Sequence, residues 1–367
     1  MQSRFKMMTL FMSFAAAFAT SAARDGVCAE GVKVKTISVP AGDKPMAAKT
    51  DALGTIHLVF DTSDGPHYLR SKDHGKTLSR PIPLVDPGSR KPGLEFITWD
   101  LAVTDKGHVH IVLGNNAWKL KLPKEQWGYF YTRLLPDETD FLPLKNINHK
   151  PSEGFSIAVD DNDTVAAVWM ADKLYANISH DDGNTFGPTI EIDPKLNPCN
   201  CCTTSSVYAA DGRLAILYRE ETDNNRDMYL ALWNQKQNKV TKTRVSTTPW
   251  TIDSCPMTYY SIARSGAGFV AAWPTKGEIY FAKLNANGSP IAPKEIKTSG
   301  SCGMRTGLLA IPASDGQTVV AWKKDNRLNW QIFDNRGRPK GTPGFAQSNG
   351  NGVAGVLAKG DELILFQ

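Results

Sequence analysis

Beyond its first 23 residues, this 367-residue chain has no apolar run approaching the eighteen or so residues of a membrane-crossing helix, which excludes a helical membrane protein. It has no block of one charge either. Its 42 Lys and Arg are scattered among 37 Asp and Glu, for a formal charge of +5, so a nucleic-acid partner is not expected. A mild pull on anionic ligands is all that such a balance implies. Histidine is scarce, and His57, His108 and His110 fall on or beside apolar strands, where packing or hydrogen bonding is expected of them. The six cysteines lack zinc-ribbon spacing. At 22% charged and 9% aromatic residues, the composition is that of a folded chain rather than a disordered one.

The N-terminus carries Arg4 and Lys6, then the apolar run Met7–Ala19, then Ser21-Ala22-Ala23. That is the pattern of a secretory signal peptide cut near Ala23, so residues 1–23 are expected to leave and 24–367 to form one secreted or periplasmic domain. No Cys follows the cut directly, which argues against a lipoprotein anchor. All six cysteines stay in the mature chain and meet an oxidising compartment, where an even count points to disulfides.

A repeat organises the rest. A short strand ending in a large apolar residue recurs as Thr55–Phe60, His108–Leu113, Thr164–Trp169, Arg213–Tyr218, Phe269–Trp273, Gln317–Trp322 and Asp361–Phe366. Each follows a turn rich in Asp, Asn or Gly, such as Asp105-Lys106-Gly107 or Asp211-Gly212, and another short strand precedes that turn. A hairpin repeated at a period of about 50 residues, with room for four strands, is the signature of a propeller blade. Strands are named A to D from axis to rim. The expected fold is all-β: a β-propeller of seven blades with an incomplete closing one, completed by the strand at Val32–Val39, and six blades as the alternative.

Two repeats carry a sharper mark, Ser71-Lys-Asp-His-Gly-Lys-Thr-Leu78 and Ser179-His-Asp-Asp-Gly-Asn-Thr-Phe186. Both fit Ser-x-Asp-x-Gly-x-Thr-aromatic, with Leu78 departing at the last place. The pattern resembles the Asp-box, or BNR, repeat of sialidases and their propeller relatives. Asn285-Ala-Asn-Gly288 and Asp334-Asn-Arg-Gly337 read as eroded copies. The resemblance implies a structural C–D turn in which Asp73 and Asp181 accept from turn amides and Gly75 and Gly183 take positive φ. It speaks for the fold and not for an activity.

With strand A starting on the upper face, the B–C loops and D–A connections lie on top and the Asp-box turns underneath. The upper loops then supply Trp118, Lys119, Lys121 and Trp127 from the second repeat, Arg219, Glu220, Glu221, Asp223, Arg226 and Asp227 from the fourth, and Lys323, Lys324, Asp325 and Arg327 from the sixth. Ligand-binding candidates are Trp118, Glu153, Arg219, Arg226, Asp227, Arg305 and Lys324. Five cysteines fall in D–A connections: Cys199, Cys201 and Cys202, then Cys255, then Cys302. Counted back from the B-strand aromatics, Cys202, Met257 and Met304 enter strand A at nearly one height, so these sulfurs converge on one sector of the upper mouth. One reading pairs them as disulfides between blades, with Cys28 as the sixth partner. The other is a soft-metal site of Cys199, Cys201, Cys202, Cys255, Met257, Cys302 and Met304 suited to Cu(I), copper being the one cofactor in view.

Sialidases hold the substrate carboxylate with an Arg trio beside a Tyr–Glu pair and an Asp, and Glu220, Glu221, Asp253, Tyr259 and Tyr260, with Arg219 and Arg305, are this chain's candidates for such roles. The family's Arg-Ile-Pro belongs near the first inner strand, where this chain has Lys44-Pro45-Met46, and Arg80-Pro-Ile-Pro83 falls on an outer strand. The Arg trio therefore does not carry over. The first expectation is a propeller that binds a glycan, peptide or anionic small molecule at the upper mouth without catalysis; the alternatives are a glycan-active hydrolase or lyase, and a copper-binding protein.

Overall fold

The computed structural model describes residues 24–26, 32–39, 43–86, 88, 91–313, 315–350, 352–358 and 361–367. The expected leader at 1–23 and Cys28 lie outside them. In chain order, β1 (Arg24–Gly26) and β2 (Lys33–Ile37) precede the first blade, β3 (Lys44–Thr50), β4 (Ile56–Thr62), β5 (Gly65–Ser71) and β6 (Ile82–Pro83). Blade 2 is β7 (Phe96–Val103), β8 (Val109–Asn115), β9 (Phe130–Leu134) and β10 (Lys145–Asn146). Blade 3 is β11 (Glu153–Val159), β12 (Val165–Met170), β13 (Leu174–Ser179) and β14 (Ile190–Glu191). Blade 4 is β15 (Thr204–Tyr208), β16 (Leu214–Arg219), β17 (Met228–Asn234) and β18 (Lys239–Arg244). Blade 5 is β19 (Ser261–Ser265), β20 (Gly268–Thr275), β21 (Glu278–Leu284) and β22 (Ile296–Ser301). Blade 6 is β23 (Leu308–Pro312), β24 (Thr318–Lys324), β25 (Arg327–Phe333) and β26 (Pro339–Gln347), and β27 (Ala354–Ala358) and β28 (Glu362–Phe366) open the seventh. Each innermost strand touches its counterparts in both neighbouring blades, right round from β27 to β3. The molecule is a seven-bladed β-propeller.

The N-terminal strand completes the closing blade as expected, and β1 adds a fourth strand to it. Its order is β27-β28-β2-β1, four strands drawn from both ends of the chain, and β2 runs parallel to β28 in the register Lys33↔Glu362 to Ile37↔Phe366. The reason is directional. A strand that leads directly into strand A of blade 1 must finish on the upper face, and so must a B strand, so side by side the two are parallel. Joining the chain's ends in one sheet leaves no open edge inside the ring.

The core is a ring of layers between blades. One layer joins blades 7 and 1 through Ile37, Leu58, Phe60, Val356 and Ile364, and another joins blades 2 and 3 through Tyr129, Tyr131, Phe155 and Trp169. Because both faces of a blade are covered, its second strand is buried along most of its length, and in Val-Ala-Ala-Val-Trp-Met of β12 at every position. This is why the B strands read as unbroken apolar runs rather than alternating ones.

On the underside the two Asp-boxes share one geometry. Ser179 Oγ accepts from the buried Gly183 N–H at 2.8 Å and donates to Asp181 Oδ1 at 2.7 Å. Asp181 in turn accepts from Thr185 N at 2.8 Å and Thr185 Oγ1 at 2.6 Å. Ser71, Asp73, Gly75 and Thr77 repeat these bonds at 2.7–2.9 Å. The bonds donated to them, the threonine hydroxyl's foremost, pull both aspartates down to about 2. The buried amide therefore belongs to the serine, and the aspartate serves the exposed side of the turn. The glycines of these turns and of the eroded copies, at φ 74–79°, lie against the preceding blade: a Cβ on Gly75 would come within 2.4 Å of Ile37, on Gly183 within 1.7 Å of Tyr131, on Gly288 within 2.7 Å of Leu230, and on Gly337 within 2.2 Å of Ile296.

Candidate functional site

The upper face is built from D–A connections laced to one another. Thr203 N and Oγ1 donate to Thr258 O at 3.4 and 3.2 Å, joining the entries of blades 4 and 5. Arg305 N donates to Met257 O at 2.7 Å, joining those of blades 6 and 5. Met257 and Arg305 hold φ of 44° and 53°, left-handed positions where side chains are uncommon, and the cross-blade bonds maintain them.

Between these connections and the long B–C loop of blade 2 lies a cleft of about 600 Å³. Trp118, Trp127, Trp99 and Tyr259 supply aromatic walls, and Lys119, Arg305 and Glu153 supply charge. Trp118 stands on the rim with 57% of its surface exposed, and Trp127 is anchored by its indole N–H to Leu122 O at 2.9 Å. Trp99 meets Tyr259 and Phe155 edge-on, with ring centroids 6.2 and 5.2 Å apart. Burial raises the Tyr259 phenol above its ordinary range, with Arg305 opposing and Glu153 and Asp61 adding to the shift. Asp61 was not among the sequence candidates. It is the next-to-last residue of β4, the first B strand, just before Thr62, accepts from Thr98 Oγ1 at 2.8 Å, and is lifted by burial to about 6. Below the cleft a narrower cavity of about 310 Å³ runs between the innermost strands, with Asp100, Tyr260 and the serines of β15 on its wall.

Four of the candidates, Trp118, Glu153, Tyr259 and Arg305, line the cleft together with Met257, Cys201 and Cys202. The charged cluster of blade 4 is placed otherwise. Arg219 is fully buried, its guanidinium donating to Pro274 O, Arg226 O and the Tyr260 hydroxyl, so it faces protein and not ligand. Glu220 is buried against Lys242 at 2.9 Å and accepts from the Tyr218 hydroxyl at 2.6 Å. Asp227 pairs with Arg244 at 2.8 Å, and Glu221 accepts from Asn224 N at 3.3 Å. Arg226 reaches Cys199 Sγ at 3.0 Å. Lys324 donates to Ser301 Oγ at the end of blade 5, and Asp253 and Met304 are exposed, Met304 at 66%. Tyr260, buried, belongs to the lower cavity. A mixed-charge loop looks the same in sequence whether its charges pair internally or reach into a cleft, so only packing separates the two.

The sulfurs converge. Cys201 and Cys255, 54 residues apart, form a disulfide between the entries of blades 4 and 5. Beside it the Cys199 and Cys202 sulfurs lie 3.1 Å apart, and Cys199 Sγ is 3.6 Å from Cys201 Sγ. The two thiols share a hydrogen bond, which holds Cys202 below the ordinary thiol range, with Arg219 and the Tyr260 hydroxyl acting in the same direction, and keeps Cys199 above it. Cys302 is a free thiol outside the group.

No protein-family profile matches the chain, and no curated protein matches its sequence. Among solved structures it is similar to a chain of a mitotic checkpoint complex, at a TM-score of 0.53 and 10% identity over 98% of this chain and 92% of that one. It is also similar to an ulvan lyase bound to -[GlcA(1-4)Rha3S]-, at 0.54 and 10% over 85% and 88%. A third is the Aleuria aurantia lectin in complex with Fucalpha1-6GlcNAc, at 0.52 and 13% over 84% and 96%. At such identities the likeness is one of fold.

Proposed function

We propose that this chain is an exported recognition propeller whose upper cleft binds an acidic glycan. The observation that carries the reading is the cleft itself: tryptophans at the rim and wall, with Arg305 and Lys119 beside them, in a volume of about 600 Å³ that suits an oligosaccharide segment. Flat aromatic side chains cover the apolar faces of sugar rings, and a guanidinium takes a carboxylate or sulfate through two parallel bonds. The lectin and the lyase to which the fold is similar were each solved with a glycan bound, and the same fold is suited to that use here. Export is supported by the charged, apolar and small-residue stretches of the first 23 residues.

Binding is preferred to turnover on a point of chemistry. Glu153 and Tyr259 share the cleft, as a carboxylate and a phenol would in a hydrolase or lyase, but burial moves Tyr259 upward, the wrong direction for a base near neutrality. Calorimetric titration with uronate-containing, sulfated and neutral oligosaccharides tests the reading. Acidic ligands should bind in a salt-dependent manner, and Trp118→Ala and Arg305→Ala should each weaken binding about tenfold or more. Equal affinity for neutral sugars, or no effect of Arg305→Ala, would overturn it. New reducing ends or unsaturated products in the same samples would replace binding by catalysis.

A further inference from the structure

The cleft reading leaves four sulfurs unexplained. One disulfide is enough to tie blades 4 and 5, yet Cys199 and Cys202 stand beside it, at 1% and 2% exposure, with their sulfurs in contact. The sulfurs of Cys199, Cys201, Cys202 and Cys255 all lie within 4.8 Å of one another. Four thiolates around one cation of metal–sulfur distance about 2.3 Å are separated by about 3.8 Å, so the group needs only small adjustments to converge on a metal. Cys201, Cys202 and Met257 also line the cleft, so the group lies at the cleft wall. Positive charge is already in place: Arg226 Nη1 sits 3.0 Å from Cys199 Sγ and Arg219 lies behind Cys202. Bare thiolates gathered in a buried place need such neighbours, and a plain disulfide does not.

We propose that the reduced cluster is a Cu(I) site, in which Cys199, Cys201, Cys202 and Cys255 supply thiolates and Met257 stands at its mouth as the thioether that first meets the ion. Four thiolates in a tetrahedral set also suit zinc; it is the Met257 thioether at the cleft wall beside the group that favours monovalent copper, since zinc has little use for Met, and the test below separates the two metals. The site opens when a dithiol reductant gives two electrons and two protons to the Cys201–Cys255 disulfide, making two thiols and leaving as its own disulfide. Each thiol that binds the metal then releases its proton to water. A disulfide-bearing oxidant that takes two electrons from the same pair, and leaves as a dithiol, re-forms the Cys201–Cys255 bond, removes two ligands and lets the ion go, so metal affinity follows redox state.

The test uses the full mature chain, reduced or with its disulfide intact, and Cu(I) delivered from a chelator of known affinity under anaerobic conditions. The reduced protein should take copper in a fixed stoichiometry with sulfur neighbours in the X-ray absorption spectrum, and should lose about a hundredfold or more in affinity when oxidised. Cys199→Ser and Cys202→Ser should each lower affinity at least tenfold, Met257→Leu should slow loading, and Cys302→Ser should change nothing; melting curves of each variant establish that it folds. Equal copper affinity in Cys199→Ser and Cys302→Ser, equal affinity of oxidised and reduced protein, or zinc held against excess Cu(I) would each overturn the proposal. Glycan titrations on the oxidised protein run independently, so failure here leaves the cleft reading untouched.

Discussion

The Gly183 Cα faces the Tyr131 hydroxyl of the neighbouring blade so closely that a methyl group added there would lie 1.7 Å from the oxygen. Gly277 has the same φ of 78° and open space around it. The pair separates two costs that sequence cannot. Gly277→Ala should lose only the left-handed preference, about 1 kcal/mol. Gly183→Ala should add overpacking of about 1–3 kcal/mol. Urea melts of the two variants check this, and equal midpoints would refute the inter-blade role.

Within the same turn the serine should matter more than the aspartate that names the motif. Ser179→Ala leaves the buried Gly183 amide without its acceptor, at about 1–3 kcal/mol, whereas the Asp181 carboxylate is exposed and its loss should cost less, with water taking over its bonds. Chemical denaturation of Ser179→Ala and Asp181→Ala should rank them in that order.

Asp61 should make stability depend on pH in an unusual direction. Its carboxyl is lifted by burial from the ordinary 3.8 to about 6, so the folded chain holds that proton more tightly than the unfolded one. The contribution is complete below pH about 4 and is lost as pH rises through about 6, on the order of 3 kcal/mol. Asp61→Asn keeps an acceptor for Thr98 without the charge. Its melting temperature should exceed that of the parent at pH 7, with the gap closing by pH 4; a less stable variant at pH 7 would contradict the placement.

Peptide mapping without reduction should find Cys201 joined to Cys255, and reducing the metal-free protein should lower its stability by about 2–4 kcal/mol, because the bridge closes a long loop between two blades. A bridge from Cys302 instead would mean that the entries of blades 5 and 6 are placed differently.

Much of the fold was legible because a propeller repeats. Seven B strands ending in Phe, Leu, Trp or Tyr, and two Asp-boxes at equivalent places, are local patterns that survive without tertiary information. The parallel closing pair was not legible, since β2 and β28 lie at opposite ends of the chain and neither carries a mark of direction. In the site, strand counting brought Cys202 and Met257 to one cleft because both stand just ahead of an innermost strand, β15 and β19, and innermost strands converge. It placed Arg219 there as well, which the structure buries against the neighbouring blade instead.

Repeat period, turn chemistry, and the face on which each connection emerges were thus determined by the sequence alone, for they depend on neighbours a few residues apart. Which charges turn inward was decided only by the tertiary structure. Arg219 and Glu220 end a B strand with nothing to distinguish them from Lys324, and it is the neighbouring blade's carbonyl at Pro274 and the adjacent Lys242 that bury the first two, while Lys324 stays at the surface. A polar group follows whichever partner offsets its loss of water, and in a propeller that partner often stands one blade, some fifty residues, away.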